Sequence, residues 1–91
     1  MTMNAEWLEI DGERVVTALQ VAREALDSAQ NDVVLDFSFV RRIDPSALRA
    51  MEKLAGIADE KAVKVVFRGV NVDIYKVLKL VKLTSRFSFL A

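Results

Sequence analysis

Residues 33–48 decide the fold, and they read VVLDFSFVRRIDPSAL. The run 33–40 is almost continuously apolar and rich in β-branched and aromatic residues. Such a run is typical of a strand buried on both faces, as in a parallel sheet covered by helices. Residues 41–44 predict a turn. Asp44 then suits the N-cap of a helix and Pro45 its first position, so the stretch predicts a strand, a turn and a helix.

The sequence on either side continues this alternation of strands and helices. Apolar residues spaced three and four apart predict three helices, over 13–30, 45–60 and 71–82. Short apolar runs predict further strands, over 6–10, 62–69 and 86–91. Alternation of this kind favours a mostly parallel sheet. We expect an α/β fold: a mostly parallel or mixed sheet of about four strands with three main helices packed on it.

Length and composition restrict the function classes. The chain has 91 residues and no linker or repeat, so we expect a single domain over 1–91. It has no cysteine and no histidine, which excludes thiolate chemistry, Cys-ligated zinc and any Ser-His-Asp site built from this chain alone. No Gly-rich phosphate loop or nucleophile elbow occurs. We therefore expect no enzyme, no cofactor and no metal site.

The net charge is zero, yet it divides unevenly along the chain. Residues 1–60 carry 12 acidic and 6 basic side chains, whereas residues 61–91 carry 7 basic and 1 acidic side chain. The basic part includes Lys76, Lys79 and Lys82 on one predicted helix, which indicates either a solvated face or a surface for an acidic partner or anionic lipid. The zero total argues against general nucleic-acid binding. With no apolar run long enough for a bilayer and no basic-then-apolar leader, we expect a cytoplasmic protein without membrane insertion.

The stretch 34–48 resembles the core of the STAS domain, the family that includes the bacterial anti-sigma-factor antagonists. The usual family pattern is a strand ending Leu-Asp-Leu-Ser, a short loop ending in Ile/Phe-Asp, and Ser-Ser-Gly-Leu at the start of a helix. The matching segments here are Val34-Leu35-Asp36-Phe37-Ser38 and Asp44-Pro45-Ser46-Ala47-Leu48. The resemblance extends over roughly residues 30–90, where the later strand, glycine and helix also fit.

The resemblance implies a small binding module for an anti-sigma factor or serine-kinase-like protein. In the family the kinase phosphorylates the second serine of the motif, and the matching residue is Ser46. Asp36 matches a family aspartate, which we expect to brace the following loop. The partner surface implied by the resemblance is the turn and helix start, comprising Arg41, Arg42, Asp44, Pro45, Ser46, Ala47 and Arg49.

Two departures from the family pattern keep other functions open. Pro45 replaces the first serine and removes its hydroxyl, and Ala47 replaces the glycine that lets a partner approach the backbone. A serine at position 46 also has a purely structural interpretation, as a polar residue at a helix start. One alternative is therefore a non-phosphorylated accessory subunit of a lipid-transport ATPase or signalling complex. A nucleotide-binding domain is a weaker alternative, and the oligomeric state, monomer or homodimer, stays open.

Overall fold

The computed structural model describes residues 6–28 and 32–90. Strands and helices alternate along this part of the chain, and the four strands form one sheet in the order β1-β2-β3-β4. Every neighbouring pair of strands is parallel. The elements are β1 (Glu6–Glu9), α1 (Val15–Ser28), β2 (Val33–Asp36), α2 (Pro45–Lys61), β3 (Val65–Arg68), α3 (Val72–Leu80) and β4 (Ser88–Leu90). The predicted α/β class, with about four strands and three helices, is confirmed.

All three helices pack on the same face of the sheet. Alternate strand residues share one buried cluster with residues of every helix, and the largest of these strand residues are Leu35 and Phe67. The helices contribute apolar residues at the three- and four-residue spacings that the sequence shows, namely Leu19, Ala22, Leu26, Ala47, Met51, Leu54, Ala55, Ala58, Ile74 and Leu78. Each of these side chains loses its contact with water on folding, which is the main source of stability for a domain of this size.

The opposite face of the sheet corrects one expectation. Val34 and Val66 are buried, as predicted for a strand hidden on both sides, but they lie outside the cluster that contains the helices. Their neighbours on this face include Trp7 and Arg68, whose guanidinium lies over the indole at 5.7 Å from the ring centroid. In the described residues, therefore, helices cover only one face, and side chains of adjacent strands shield the valines on the other.

Phenylalanines join the later elements to the centre of the sheet. Phe67 stacks against Phe37 on one side and Phe87 on the other, with ring centroids 4.9 Å and 4.5 Å apart. Phe89 of β4 meets Phe67 edge-on. Both arrangements are favourable for aromatic rings. Phe87 and Phe89 therefore pack the C-terminal part of the chain against the core.

Several element boundaries differ from the predictions, and for three of them the local cause is visible. β2 ends at Asp36 rather than at residue 40, because the Asp36 carboxylate accepts a hydrogen bond from the Ser38 backbone and starts a turn. β3 begins only at Val65, because α2 continues to Lys61 and ends at Ala62, which has φ 55°. α3 ends at Leu80, two residues before Lys82 with φ 63°. The predicted ends of the first helix and the last strand, residues 29–30 and 91, lie outside the described residues.

Candidate functional site

The candidate site lies where β2 ends and α2 begins. In a parallel sheet the carboxyl ends of all strands point to the same end of the sheet. The strand register puts Glu9, Asp36, Arg68 and Leu90 in one row across that end. The loops that follow these strands therefore gather at one end of the molecule. Ligand and partner sites of open parallel sheets are found at this end.

The turn after β2 is held by Asp36. One carboxylate oxygen accepts hydrogen bonds from the Ser38 hydroxyl and from the Ser38 backbone N–H, the latter at 2.9 Å. The other oxygen lies 3.6 Å from the Arg68 guanidinium. The hydrogen bonds from Ser38 hold the pKa of the Asp36 carboxyl below its usual value, with a smaller contribution from Arg68 and against a partial desolvation that raises it. Asp36 thus fixes the direction in which the chain leaves the sheet.

The two phenylalanines of this turn point in opposite directions. Phe37 is fully buried in the core, whereas Phe39 is 62% exposed. A hydrogen bond from the Val40 N–H to the Phe37 carbonyl closes the turn between them. A single exposed aromatic ring needs no explanation on a protein surface, but this one stands beside a cluster of charged side chains. The sequence does not predict this exposure, because the apolar run 33–40 predicts Phe39 as part of the buried strand.

Two glycines from neighbouring loops clamp this turn. A Cβ atom on Gly12 would overlap the carbonyl oxygen of Phe39, so the loop after β1 approaches the turn more closely than any other residue allows. On the other side, Gly69 has φ +74° and its Cα faces Ser38, whose side chain would collide with a Cβ there. The turn is therefore seated between the loops that follow β1 and β3.

Asn71 ties the same loop to the start of α3. Its side-chain oxygen accepts a hydrogen bond from the Ile74 N–H at 2.8 Å and so caps α3. Its side-chain nitrogen donates to the backbone carbonyls of Val40 and Arg41, at 3.3 Å and 3.0 Å. One amide therefore satisfies a free N–H of a helix and holds the loop that carries the arginines, a link that the sequence prediction did not include.

The start of α2 has the predicted capping arrangement. Asp44 has extended backbone angles, and its carboxylate accepts a hydrogen bond from the Ala47 N–H at 2.8 Å. Pro45 occupies the first turn, where its missing N–H leaves no bond unmade. The predictions of Asp44 as N-cap and Pro45 as the first helical residue are confirmed. Ser46 follows in the same turn with its side chain exposed.

The Ser46 hydroxyl faces a basic side chain. Arg49, one turn further along α2, donates a hydrogen bond from Nη2 to Ser46 Oγ at 3.3 Å. Free N–H groups and the positive end of the helix dipole are also found in a first helical turn. This arrangement favours additional negative charge on the oxygen of Ser46, while the carboxylate of Asp44 two residues away opposes it.

Grooves connect this helix start with the loop after β1. One groove of about 490 Å³ runs from Gly12 and the start of α1 to Arg42, Asp44 and Ala47. A second groove of about 710 Å³ places the acidic side chains of 9–13 opposite Phe39, Arg41 and Arg42. Both are open to solvent, so they suit contact with another protein surface better than enclosure of a small molecule.

The predicted site residues divide into two groups. Six of them are exposed at this one end of the molecule: Arg41, Arg42, Asp44, Pro45, Ser46 and Arg49. Ala47 is different, because it is 1% exposed and belongs to the core cluster. Its side chain is not available for a partner, which corrects the expectation drawn from the family glycine. Among residues 6–28 and 32–90, no group of three or more acidic side chains is placed to hold a metal ion.

Comparison with known proteins gives two similarities. The family model described as "Mlab, STAS domain" matches residues 8–88. The crystal structure of a proposed anti-sigma factor antagonist from Thermotoga maritima is similar to this chain with a TM-score of 0.66 and 19% sequence identity, over 94% of this chain and 72% of the other. At that identity the likeness shows the fold. No curated protein sequence matches significantly. Within the described residues no helix has the length and apolar character to cross a membrane.

Proposed function

This chain belongs to the STAS domain family, and from that premise we propose that it is a non-enzymatic, protein-binding regulatory module of the anti-sigma-factor-antagonist type. Its partner is an anti-sigma factor or a serine-kinase-like protein in the cytoplasm. The partner docks on the end of the molecule formed by the turn after β2 and the start of α2. This docking surface comprises Phe39, Arg41, Arg42, Pro45, Ser46 and Arg49.

The observation that carries the proposal is the hydrogen bond between Arg49 and the exposed hydroxyl of Ser46. The Ser46 hydroxyl is a nucleophilic oxygen in the first turn of α2, where it is exposed to a kinase. The hydrogen bond holds it beside the permanent positive charge of Arg49. The supporting loop is held at fixed positions by Asp36 and Asn71. A surface held this way is pre-organised, so that little ordering entropy opposes the docking of a partner.

Phosphorylation of Ser46 is the proposed switch. A phosphoserine adds a charge of about −1.5 to −2 together with strong acceptor oxygens. The fold tolerates that charge, because Arg49 and the helix N-terminus stabilise it and the site is exposed. A partner surface that fits the uncharged hydroxyl of Ser46 would lose its contact with that hydroxyl after phosphorylation. A partner surface that is acidic opposite Arg41 and Arg42 would also be repelled by the new negative charge. The modification therefore controls docking without unfolding the module.

A second candidate, a constitutive accessory subunit, is favoured by the helix start itself. Pro45 stiffens the backbone that a kinase would have to accommodate and has no hydroxyl of its own. In this case the same surface binds a permanent partner, for example the ATPase of a lipid transporter, and Ser46 is a polar surface residue only.

A pull-down with the intact chain tests the proposal. The wild type is compared with Ser46→Asp and Ser46→Ala, and the captured proteins are identified by mass spectrometry. We expect the wild type and Ser46→Ala to recover an anti-sigma factor or kinase that Ser46→Asp does not. Recovery of the same partner by all three chains supports the accessory subunit, and recovery of no partner contradicts the binding-module proposal.

Intact-mass and peptide analysis with the captured kinase tests the modification separately. We expect one phosphate, on Ser46. Modification at another residue, or none, overturns the phosphorylation switch and leaves docking to be judged by the pull-down alone.

A further inference from the structure

The two edges of the sheet have surfaces of opposite character. β1 and β4 are its outer strands, and in the described residues each pairs with a neighbour on one side only. An unpaired strand edge presents free N–H and C=O groups that can accept another strand. The β1 edge ends beside the groove that Phe39, Arg41 and Arg42 line. The β4 edge contains none of the residues of that docking surface.

The β4 edge carries an apolar groove. Its volume is about 390 Å³, and it is lined by Val70, Val72, Tyr75, Phe89 and Leu90. Val72 is 68% exposed and Leu90 49%. The ring of Tyr75 meets Phe89 edge-on at 5.2 Å, so that α3 and β4 form the two walls.

Lysines extend the α3 wall of this groove. Lys76 follows Val72 by four residues and Lys79 follows Tyr75 by four, which places all four side chains along the same strip of the helix. Both lysines are exposed, and neither forms an ion pair with any residue in 6–28 or 32–90. The β4 edge is therefore apolar beside the strand and positively charged along its helix.

The β1 edge has the complementary composition. Its four residues are Glu6, Trp7, Leu8 and Glu9, so that two acidic side chains flank two apolar ones in an already extended strand. Trp7 is 52% exposed. Both glutamates are exposed and make no ion pair within the described part of the chain. An extended segment with two acids and two apolar side chains is what an apolar groove flanked by lysines would accept.

We propose that the β4 edge of one copy binds the β1 edge of a second copy, so that the sheet continues from molecule to molecule. Two β1 edges repel each other through their glutamates, and two β4 edges through their lysines, whereas unlike edges attract. The contact is therefore head-to-tail rather than symmetric. An acidic strand of another protein would fit the same groove, but the second copy is favoured because this chain carries both halves of the match.

The register of the sheet is consistent with this continuation. Glu9, Asp36, Arg68 and Leu90 lie in one row, and Trp7, Val34, Val66 and Ser88 lie in the next row on the same face. A parallel β1 placed beside β4 in that register brings Leu90 next to Glu9 of the second copy and Ser88 next to its Trp7, on the face opposite the helices. Glu6 and Leu8 of the second copy then project on the face that carries α3. The helices of both copies then lie on the same face of the extended sheet.

Short strands make a small contact, so we expect weak, salt-sensitive association. The two strands have four and three residues. Sedimentation equilibrium of the intact chain between about 1 µM and about 1 mM covers weak contacts. We expect the average mass to rise above 10.2 kDa with concentration and to fall back in about 1 M salt, where screening acts within about 3 Å.

Charge-reversal variants of each edge test whether the β1 and β4 edges form the contact between copies. We expect the double variants Glu6→Lys/Glu9→Lys and Lys76→Glu/Lys79→Glu each to remain monomeric alone, because their two edges now carry like charges. An equimolar mixture of the two should associate again, because each edge of one variant complements the opposite edge of the other. Glu52→Lys/Glu60→Lys, which makes the same charge change on α2, is the matched control and should associate like the wild type.

Three results would overturn the proposal. The wild type could stay monomeric throughout the concentration range, the edge variants could associate as the wild type does, or the mixture could fail to restore association. Circular dichroism and thermal unfolding of each variant establish that it is folded before it is compared.

Discussion

Arg49 donates a hydrogen bond to the hydroxyl of Ser46 across one turn of α2, with Nη2 and Oγ 3.3 Å apart. The two side chains are exposed, so this bond alone adds little to the stability of the fold. Its importance is local, because it aligns a positive charge with the oxygen that the proposed kinase modifies. The interaction free energy between Arg49 and a negative charge at position 46 can be measured without a kinase, by substituting an acidic residue for Ser46.

The coupling between positions 46 and 49 is the first prediction. We expect Ser46→Asp to be more stable with Arg49 present than with Arg49→Gln, by a coupling of about 0.2–0.5 kcal/mol, as for other ion pairs one turn apart on a helix. Chemical denaturation of the four chains of the double-mutant cycle gives this value. Ser46→Asn, which has the same shape without the charge, should show no such coupling, and an equal coupling for both contradicts the electrostatic explanation.

The cap of α2 gives the second prediction. Asp44→Ala removes the acceptor for the Ala47 N–H, so we expect the free energy of unfolding to fall by about 1 kcal/mol, within the range of 0.5–2 kcal/mol found for such caps. Asp44→Asn retains a side-chain oxygen and should lose much less. If thermal or denaturant unfolding shows both variants to be as stable as the wild type, the cap does not hold the helix start.

The close approach of Gly12 to Phe39 gives the third prediction. Gly12→Ala places a methyl group against a backbone carbonyl that cannot rotate away, and we expect a loss of about 1–3 kcal/mol. Gly56→Ala is the matched control, because it lies inside α2 with no atom within 4 Å of the new Cβ. That substitution should raise stability by about 0.4–1 kcal/mol. The same sign of change in both variants would contradict the clamped turn.

The lowered pKa of Asp36 gives the fourth prediction. Since the carboxyl has a lower pKa in the folded state than in the unfolded chain, where it is about 3.9, its ionised form stabilises the fold above that pH. The contribution is lost as the pH falls through the lowered folded-state pKa. We therefore expect Asp36→Asn to be less stable than the wild type at neutral pH, and the difference to shrink below about pH 4.

Ser38→Ala tests whether the Ser38 hydroxyl is the main cause of the lowered pKa of Asp36. It removes the hydroxyl that donates to Asp36 but leaves the backbone bond. We expect carboxyl chemical shifts to report a higher pKa for Asp36 in this variant than in the wild type. An unchanged pKa would assign the shift to Arg68 and to the backbone instead.

The sequence predicts most of the fold because the deciding signals are local. The helical spacing of Met51, Leu54 and Ala58 predicts the buried side of α2, and Asp44-Pro45 predicts its first turn. The predicted end of β2, at residue 40, is wrong by four residues. An apolar run does not show where a side chain such as Asp36 captures a backbone N–H and starts a turn, and Phe39 resembles a strand residue until that turn is seen.

The parts of the site that the sequence does not reveal depend on contacts between distant residues. Gly12 meets Phe39 and Asn71 meets Arg41 across loops that are separate in the chain, and neither pairing leaves a periodic pattern. Ala47 was placed on the partner surface by its position in the family motif. The turn of the helix instead directs its side chain to the core, which a motif alone does not show.

The most direct test of the account is the affinity of the captured partner for the wild type and for three variants: Ser46→Asp, Ser46→Asn and Ser85→Asp. Calorimetric titration of each with the same partner separates the effect of charge at position 46 from the loss of the hydroxyl and from charge elsewhere on the surface. We predict that Ser46→Asp binds at least tenfold more weakly, a loss of about 1.4 kcal/mol, while the other two bind nearly as the wild type does. Equal affinity of Ser46→Asp and Ser46→Asn would contradict the claim that charge at Ser46 controls docking.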